Sequence, residues 1–144
     1  MKRIYILAAL VLLSACATLT GSEDYIPIGP QNLSVQITDY KKMPVFITRA
    51  EIRRPWASLG LYRIKNLPNN RQVILREVDG IKKFAAAKGA HAVIINQYFE
   101  EQSDIAYPVT LAAYLVRYMD NVSAEDKAKM DEFSKIAAME TIKE

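Results

Sequence analysis

His91 is the chain's one histidine, and histidine is both the residue that titrates nearest neutrality and a frequent metal ligand. A metal at His91 needs acidic or sulfur partners. The acidic residues downstream, Glu100, Glu101 and Asp104, stand nine to thirteen positions away, too far along the expected strand to be assumed close. With no Cys or HxxE-type spacing beside it, His91 is expected to be a helix-to-strand junction residue, and no metal site is expected. Ser58 has Gly60 two residues on but lacks the G-x-S-x-G frame of a nucleophile elbow. No catalytic set emerges, and the chain is not expected to be an enzyme.

Charged and aromatic residues offer a second chemistry, that of binding. Arg53, Arg54, Arg63 and Lys65 fall on an expected hairpin. There they could meet anionic lipid headgroups, lipopolysaccharide phosphate or peptidoglycan carboxylates. The alternative is a solvated sheet face or an edge protected by charge. Tyr98, Tyr107, Tyr114 and Tyr118 could form a cross-strand aromatic surface for a partner, or half-buried sheet packing.

Cys16 is the only cysteine, and its surroundings explain it. Lys2 and Arg3 precede an apolar run from Ile4 to Leu13, and small residues Ser14 and Ala15 follow. These are the charged, apolar and small-residue zones of an export signal. The run of 10 residues falls short of the roughly 20 that cross a bilayer as a helix. Leu13-Ser14-Ala15-Cys16 resembles the bacterial lipobox. That resemblance implies diacylglycerol on the Cys16 thiol, cleavage between Ala15 and Cys16, and acylation of the freed amine. The covalent lipid on Cys16 is the only prosthetic group expected. Several acyl chains, at roughly 0.8 kcal/mol per buried CH₂, hold a protein firmly at a membrane where one chain does not. In enteric-type bacteria an Asp after the lipidated Cys marks inner-membrane retention. Ala17 stands there instead, which points to the outer membrane, facing the periplasm.

Removing residues 1–15 from the 144 leaves 129, enough for one domain with a core. Lys+Arg then falls from 19 to 17 against 16 acidic residues, a net charge near +1 that gives no footprint for a nucleic acid. With its only Cys carrying lipid, the domain has no disulfide to form and must rely on apolar burial.

The elements follow from pattern. Residues 16–32 hold the lipidated Cys and a Gly- and Pro-containing tether, and the domain is expected over 33–144, with its core at 44–118. Strands are expected at 33–37, 45–52 and 59–65, the last two as an antiparallel hairpin. Ile74, Val78, Ile81 and Ala85 recur at helical spacing over 71–88, with an Asn N-cap and Gly89 as a left-handed C-cap. Strands follow at 90–99 and 109–118. Ser123 caps a last helix to 142, with Asp126 at the capping-box position and Met130, Phe133, Ile136 and Ala137 on its apolar side. The expected fold is α+β: a mainly antiparallel sheet of four to five strands in the order β-β-α-β-β, one packed helix, and a C-terminal helix.

Ala85-Ala86-Ala87-Lys88-Gly89-Ala90-His91-Ala92-Val93-Ile94 resembles the A-x-x-x-G-A-(N/D)-A-V junction of a set of small bacterial domains. These include the Rcs envelope-stress sensor lipoprotein and the YbjQ-like families. Pro55-Trp56-Ala57-Ser58-Leu59-Gly60 is similar to their turn before the second strand. The resemblance spans residues 44–118 and implies the fold, with Gly60 and Gly89 as turn residues. It departs at His91, where the family has Asn or Asp, and in the absence of a domain disulfide, so it does not carry sensing with it. Together these features lead to an expected envelope lipoprotein: a non-enzymatic interaction module in structure, assembly or stress sensing. Its partner is expected to be an envelope protein or cell-wall component, besides the membrane itself. A ligand- or metal-binding lipoprotein at the periplasmic face is the alternative.

Overall fold

The apolar stripe Ile74, Val78, Ile81 and Ala85 folds as helix α1 (Arg71–Ala87) in the computed structural model, which describes residues 22–31, 33–34, 39–99, 108–120 and 122–141. The Asn70 side chain accepts from the amides of Gln72 and Val73 at 2.8 and 3.3 Å, satisfying two donors that a helix start leaves open. At the other end Gly89 has φ 81°, and the Ala90 amide reaches back to the Ala85 carbonyl at 2.9 Å. A side chain at Gly89 would meet left-handed strain of roughly 1–2 kcal/mol.

Five strands make one sheet in the order β1-β3-β5-β4-β2. They are β1 (Ser22–Pro27), β2 (Val45–Phe46), β3 (Trp56–Leu67), β4 (Ala92–Phe99) and β5 (Val109–Tyr118). Every neighbouring pair is antiparallel except β2 with β4, which is parallel. The fold is α+β with a mainly antiparallel sheet. Strand β5 lies at its centre, which is why it is apolar on both faces. One face carries Val93, Leu111, Ala113 and Leu115 and receives Ile81 and Ala85 of α1 together with Met130. Met130 comes from α2 (Ala124–Thr141), whose first turn is held by the Ser123 hydroxyl accepting from the Asp126 amide at 3.1 Å. The opposite face packs Ala92, Ile94 and Val116 under Phe46, Ile52, Trp56, Tyr114 and Tyr118.

Strand β3 breaks its alternation twice. The register with β5 jumps between Ser58 and Gly60 and again between Ile64 and Leu67. Leu59, Tyr62, Ile64 and Leu67 are all buried as a result, a mixed parity that only bulges allow. Gly60 is therefore a mid-strand bulge residue and not a turn residue. The Tyr25 ring of β1 covers it so closely that a Cβ would stand 2.5 Å from ring atoms. Asn66, at φ 59°, marks the second jump.

Several local expectations differ from the structure. Strand β1 falls inside the stretch read as tether, so the sheet includes residues 22–27 that lie before the expected domain start at 33. Its single strongly anchored residue, Tyr25, packs edge-on to Phe84 at 5.1 Å, and one such residue gives little periodic signal. Leu33 and Ser34 are not strand; positions 35–37 lie outside the described residues. Of the strand expected at 45–52 only Val45–Phe46 forms. The Glu51 carboxylate accepts from the Thr48 amide and hydroxyl at 2.9 and 3.0 Å, and Arg49–Glu51 curls into a 3₁₀ turn. The expected hairpin does not exist, because β3 pairs with β1 and β5 while β2 pairs with β4. Strand β4 starts at Ala92 and not at 90, and β3 runs longer than 59–65 at both ends.

Candidate functional site

His91 sits just before β4, at the end of the sheet where β5 finishes. Its amide donates to the Val116 carbonyl at 2.8 Å, and its Nδ1 accepts from the Tyr118 amide at 3.0 Å. The imidazole stacks on the Tyr118 ring, with centroids 5.5 Å apart and planes at 22°. Arg54 lies 4.1 Å from the centroid of that same ring and forms a bidentate pair with Asp120, both contacts at 2.7 Å. Burial pushes the His91 pKa below its ordinary value, the Arg117 and Arg54 charges add to the effect, and Asp120 opposes it. An Nδ1 engaged by a backbone amide is an acceptor in use, so the ring favours its neutral form there. Glu100, Glu101 and Asp104 lie outside the described residues. Among the described residues no group of three or more His, Cys, Asp or Glu could hold a metal ion.

The four cations expected on one hairpin are divided between the two ends of β3. Arg53 and Arg54 precede its start, and Arg63 and Lys65 lie near its finish, roughly 25–30 Å away by strand rise. Arg63 pairs with Asp24, its register partner on β1. Lys65 stands opposite Ser22. Arg53 is exposed beside the Arg54–Asp120 pair. Exposed pairs of this kind contribute at most about 1 kcal/mol, so they shape local charge more than they hold the fold. Tyr98, Tyr114 and Tyr118 share the sheet face away from α1. Arg49 lies 5.2 Å from the Tyr114 ring centroid. Tyr107 lies outside the described residues.

One buried ionic cluster was not anticipated. Arg117, on the α1 side of β5, meets Asp126 of α2 at 3.3 Å, with both side chains 1% exposed. Arg117 also donates to the Gly89 carbonyl at 2.6 Å. Asp126 accepts from the Ser34 amide at 3.1 Å and from the Ser34 hydroxyl. The clue in the sequence was phase: Leu111, Ala113, Leu115 and Arg117 occupy one strand face, so a cation there had to be buried and paired.

A groove of about 480 Å³ runs between the β2–β4 edge and the first half of α1, lined by Val45, Ile47, Ile74, Val78, Ile95 and Leu111, with Asn96, Gln97 and Tyr98 at its rim. Its lining is mostly apolar, the character of a pocket for a hydrophobic ligand. No helix among the described residues is long and apolar enough to cross a membrane.

No protein-family model matches the sequence, and no curated protein matches it at a significant level. Among solved structures, the chain is similar to the crystal structure of the Francisella virulence factor FvfA in its orthorhombic form. The two share 18% identity with a TM-score of 0.48, over 65% of this chain and 95% of that one.

Proposed function

We propose that this protein is a lipid-anchored bacterial envelope lipoprotein that presents a small, non-enzymatic interaction module at the membrane surface, in structure, assembly or stress sensing. The observation that carries the proposal is Leu13-Ser14-Ala15-Cys16 directly after a charged start and a short apolar run. The placement of Ala17 favours the outer membrane, facing the periplasm. The likeness of residues 85–94 to the junction of the Rcs-sensor and YbjQ-like domains fits a module of that envelope class. His91, with Nδ1 bound to the Tyr118 amide, is used as a structural acceptor, which supports binding over chemistry. The partner, besides the membrane itself, is an envelope protein or a cell-wall component. The apolar groove beside α1 supports a second reading, a periplasmic-face lipoprotein that binds a hydrophobic ligand.

Intact-mass analysis and metabolic labelling with palmitate test the anchor. The wild-type chain should begin at Cys16 and carry acyl mass, and Cys16→Ser should accumulate as unlabelled precursor or as product without lipid. A mature N-terminus elsewhere, with no acyl mass, overturns the proposal. Crosslinking in intact cells then tests the interaction module. Charge reversal at Arg53 and Arg54, which share one surface, should weaken a crosslink that His91→Ala leaves intact.

A further inference from the structure

We propose that the end of the sheet where β1 begins is the membrane-facing end of the domain, with Tyr98 and Phe99 seated among zwitterionic lipid headgroups. The inference rests on the lipid-anchor reading of Cys16 and specifies how the anchored domain is oriented.

The first support is reach. Strand β1 starts at Ser22, six positions after Cys16, and six residues span at most about 20 Å when fully extended. A tether running to residue 32 would let the domain turn freely, whereas this one holds the Ser22 end close to the lipid.

The second support is register. Ser22 pairs with Lys65, Leu67 pairs with Val109, and Val109 pairs with Phe99. The start of β1 and the tip of β4 therefore share one end of the sheet, three strand spacings or about 14 Å apart. An anchor that restrains Ser22 restrains Phe99 with it.

The third support is what that end displays. Phe99 is 60% exposed and Tyr98 52%, and among the described residues these are the exposed large aromatic side chains. Adjacent strand residues point to opposite sheet faces, so the pair flanks the sheet tip on both sides. That is a poor shape for a partner lying on one face and a good one for a strand end dipping into an interface. Tyrosine is suited to such a boundary, with an apolar ring and a wet hydroxyl, and phenylalanine adds apolar contact with the acyl boundary. Leu75, 57% exposed one turn into α1, lies toward the same end, since α1 begins four residues after Leu67. The charges described at this end are of both signs: Asp24 pairs with Arg63, and Glu23 adjoins Ser22, the register partner of Lys65. Apolar contact, and not attraction to anionic lipid, therefore holds this end down.

Tryptophan quenching tests the orientation, because the chain has one Trp and Trp56 opens β3 at the opposite end, eleven residues from Leu67, about 35 Å by strand rise. The lipidated full chain is reconstituted into phosphatidylcholine vesicles whose acyl chains are brominated near the headgroup. Flotation establishes first whether the chain is anchored. Trp56 emission in the wild type should be unchanged by bromination. In Trp56→Phe/Phe99→Trp, and independently in Trp56→Phe/Leu75→Trp, emission should shift to the blue and be strongly quenched. Chains that float but leave both reporters unquenched, or that quench Trp56 instead, overturn the orientation while the anchor stands. Chains that do not float remove the anchor and the orientation together.

Discussion

Arg117 Nη2 stands 3.3 Å from Asp126 Oδ2, and this contact joins the central strand to the final helix where neither side chain meets water. Around it the distant Ser34 and the Gly89 turn converge on β5 and α2. A buried pair of this kind adds little net stability, because desolvation offsets most of the attraction. Breaking it is another matter. Asp126→Ala strands a buried guanidinium and should destabilise the domain by roughly 3–5 kcal/mol. Arg117→Met/Asp126→Leu, which removes both charges, should cost clearly less. Urea unfolding of the two variants measures the difference, and equal losses would mean that the charges are not the issue.

The same carboxylate should govern acid stability. Burial alone pushes the Asp126 pKa up, but the Ser34 hydroxyl and amide, then Arg117 and Lys129, outweigh it and hold the carboxyl below its usual range. A depressed folded-state pKa contributes stability that is fully present above the unfolded value, about 3.9, and lost as pH falls through the folded value. Unfolding free energy should therefore drop on acidification below about pH 4–5. In Asp126→Asn the starting stability should be lower and this acid limb flatter. An acid limb of unchanged steepness in the variant would assign it to other carboxylates.

His91 titrates in a different window. A folded-state pKa below the unfolded value of about 6.5 means that the unfolded chain takes up the proton first. The His91 contribution is present above that pH and is lost as pH falls from there toward the folded value. Protonation also places a proton on Nδ1, which ends its acceptance from the Tyr118 amide. Because the Arg54 charge helps hold the value down while Asp120 raises it, Arg54→Ala should move the His91 titration upward and Asp120→Ala downward. NMR titration of the one imidazole reads both shifts directly, and shifts of the reverse sign would contradict the geometry around Tyr118.

What was legible in the sequence was what repeats. The apolar stripe Ile74–Val78–Ile81–Ala85 with Asn70 and Gly89 at its ends gave α1 almost to the residue, and the run 109–118, apolar but for Thr110 and Arg117, gave β5. What escaped was decided by single contacts between distant segments. Strand β1 buries chiefly Tyr25, and an edge strand next to Pro27 and Gly29 looks like a linker until its partner is known. The β-forming run after Pro44 was overridden by one carboxylate, Glu51, bonding back to Thr48. Asp126 occupies a capping-box position, yet its carboxylate turns to Arg117 and Ser34 and not to the helix start. The four cations looked clustered only because a hairpin was assumed, and β3 carries Arg63 and Lys65 to the other end of the sheet.

Gly60 offers the sharpest test of the β1 placement. Its hydrogen occupies the floor beneath the Tyr25 ring, and a Cβ would stand 2.5 Å from Tyr25 Cε2 and the phenol oxygen and 2.6 Å from Cζ. The neighbour in the way is the far end of a side chain, so Gly60→Ala should fold, but with Tyr25 displaced. Displacement removes the edge contact with Phe84 and the Tyr25 hydroxyl bond to Gln31 at 2.9 Å, and it loosens β1 along β3. The expected cost is about 1–3 kcal/mol, the range for overpacking a filled site. Tyr25→Ala should lose stability by itself yet make a subsequent Gly60→Ala nearly silent, because the ring that clashes is gone. A double-mutant cycle measured by thermal unfolding checks this coupling. Additive losses would place Tyr25 somewhere other than over Gly60, and with it the strand that begins six residues after Cys16.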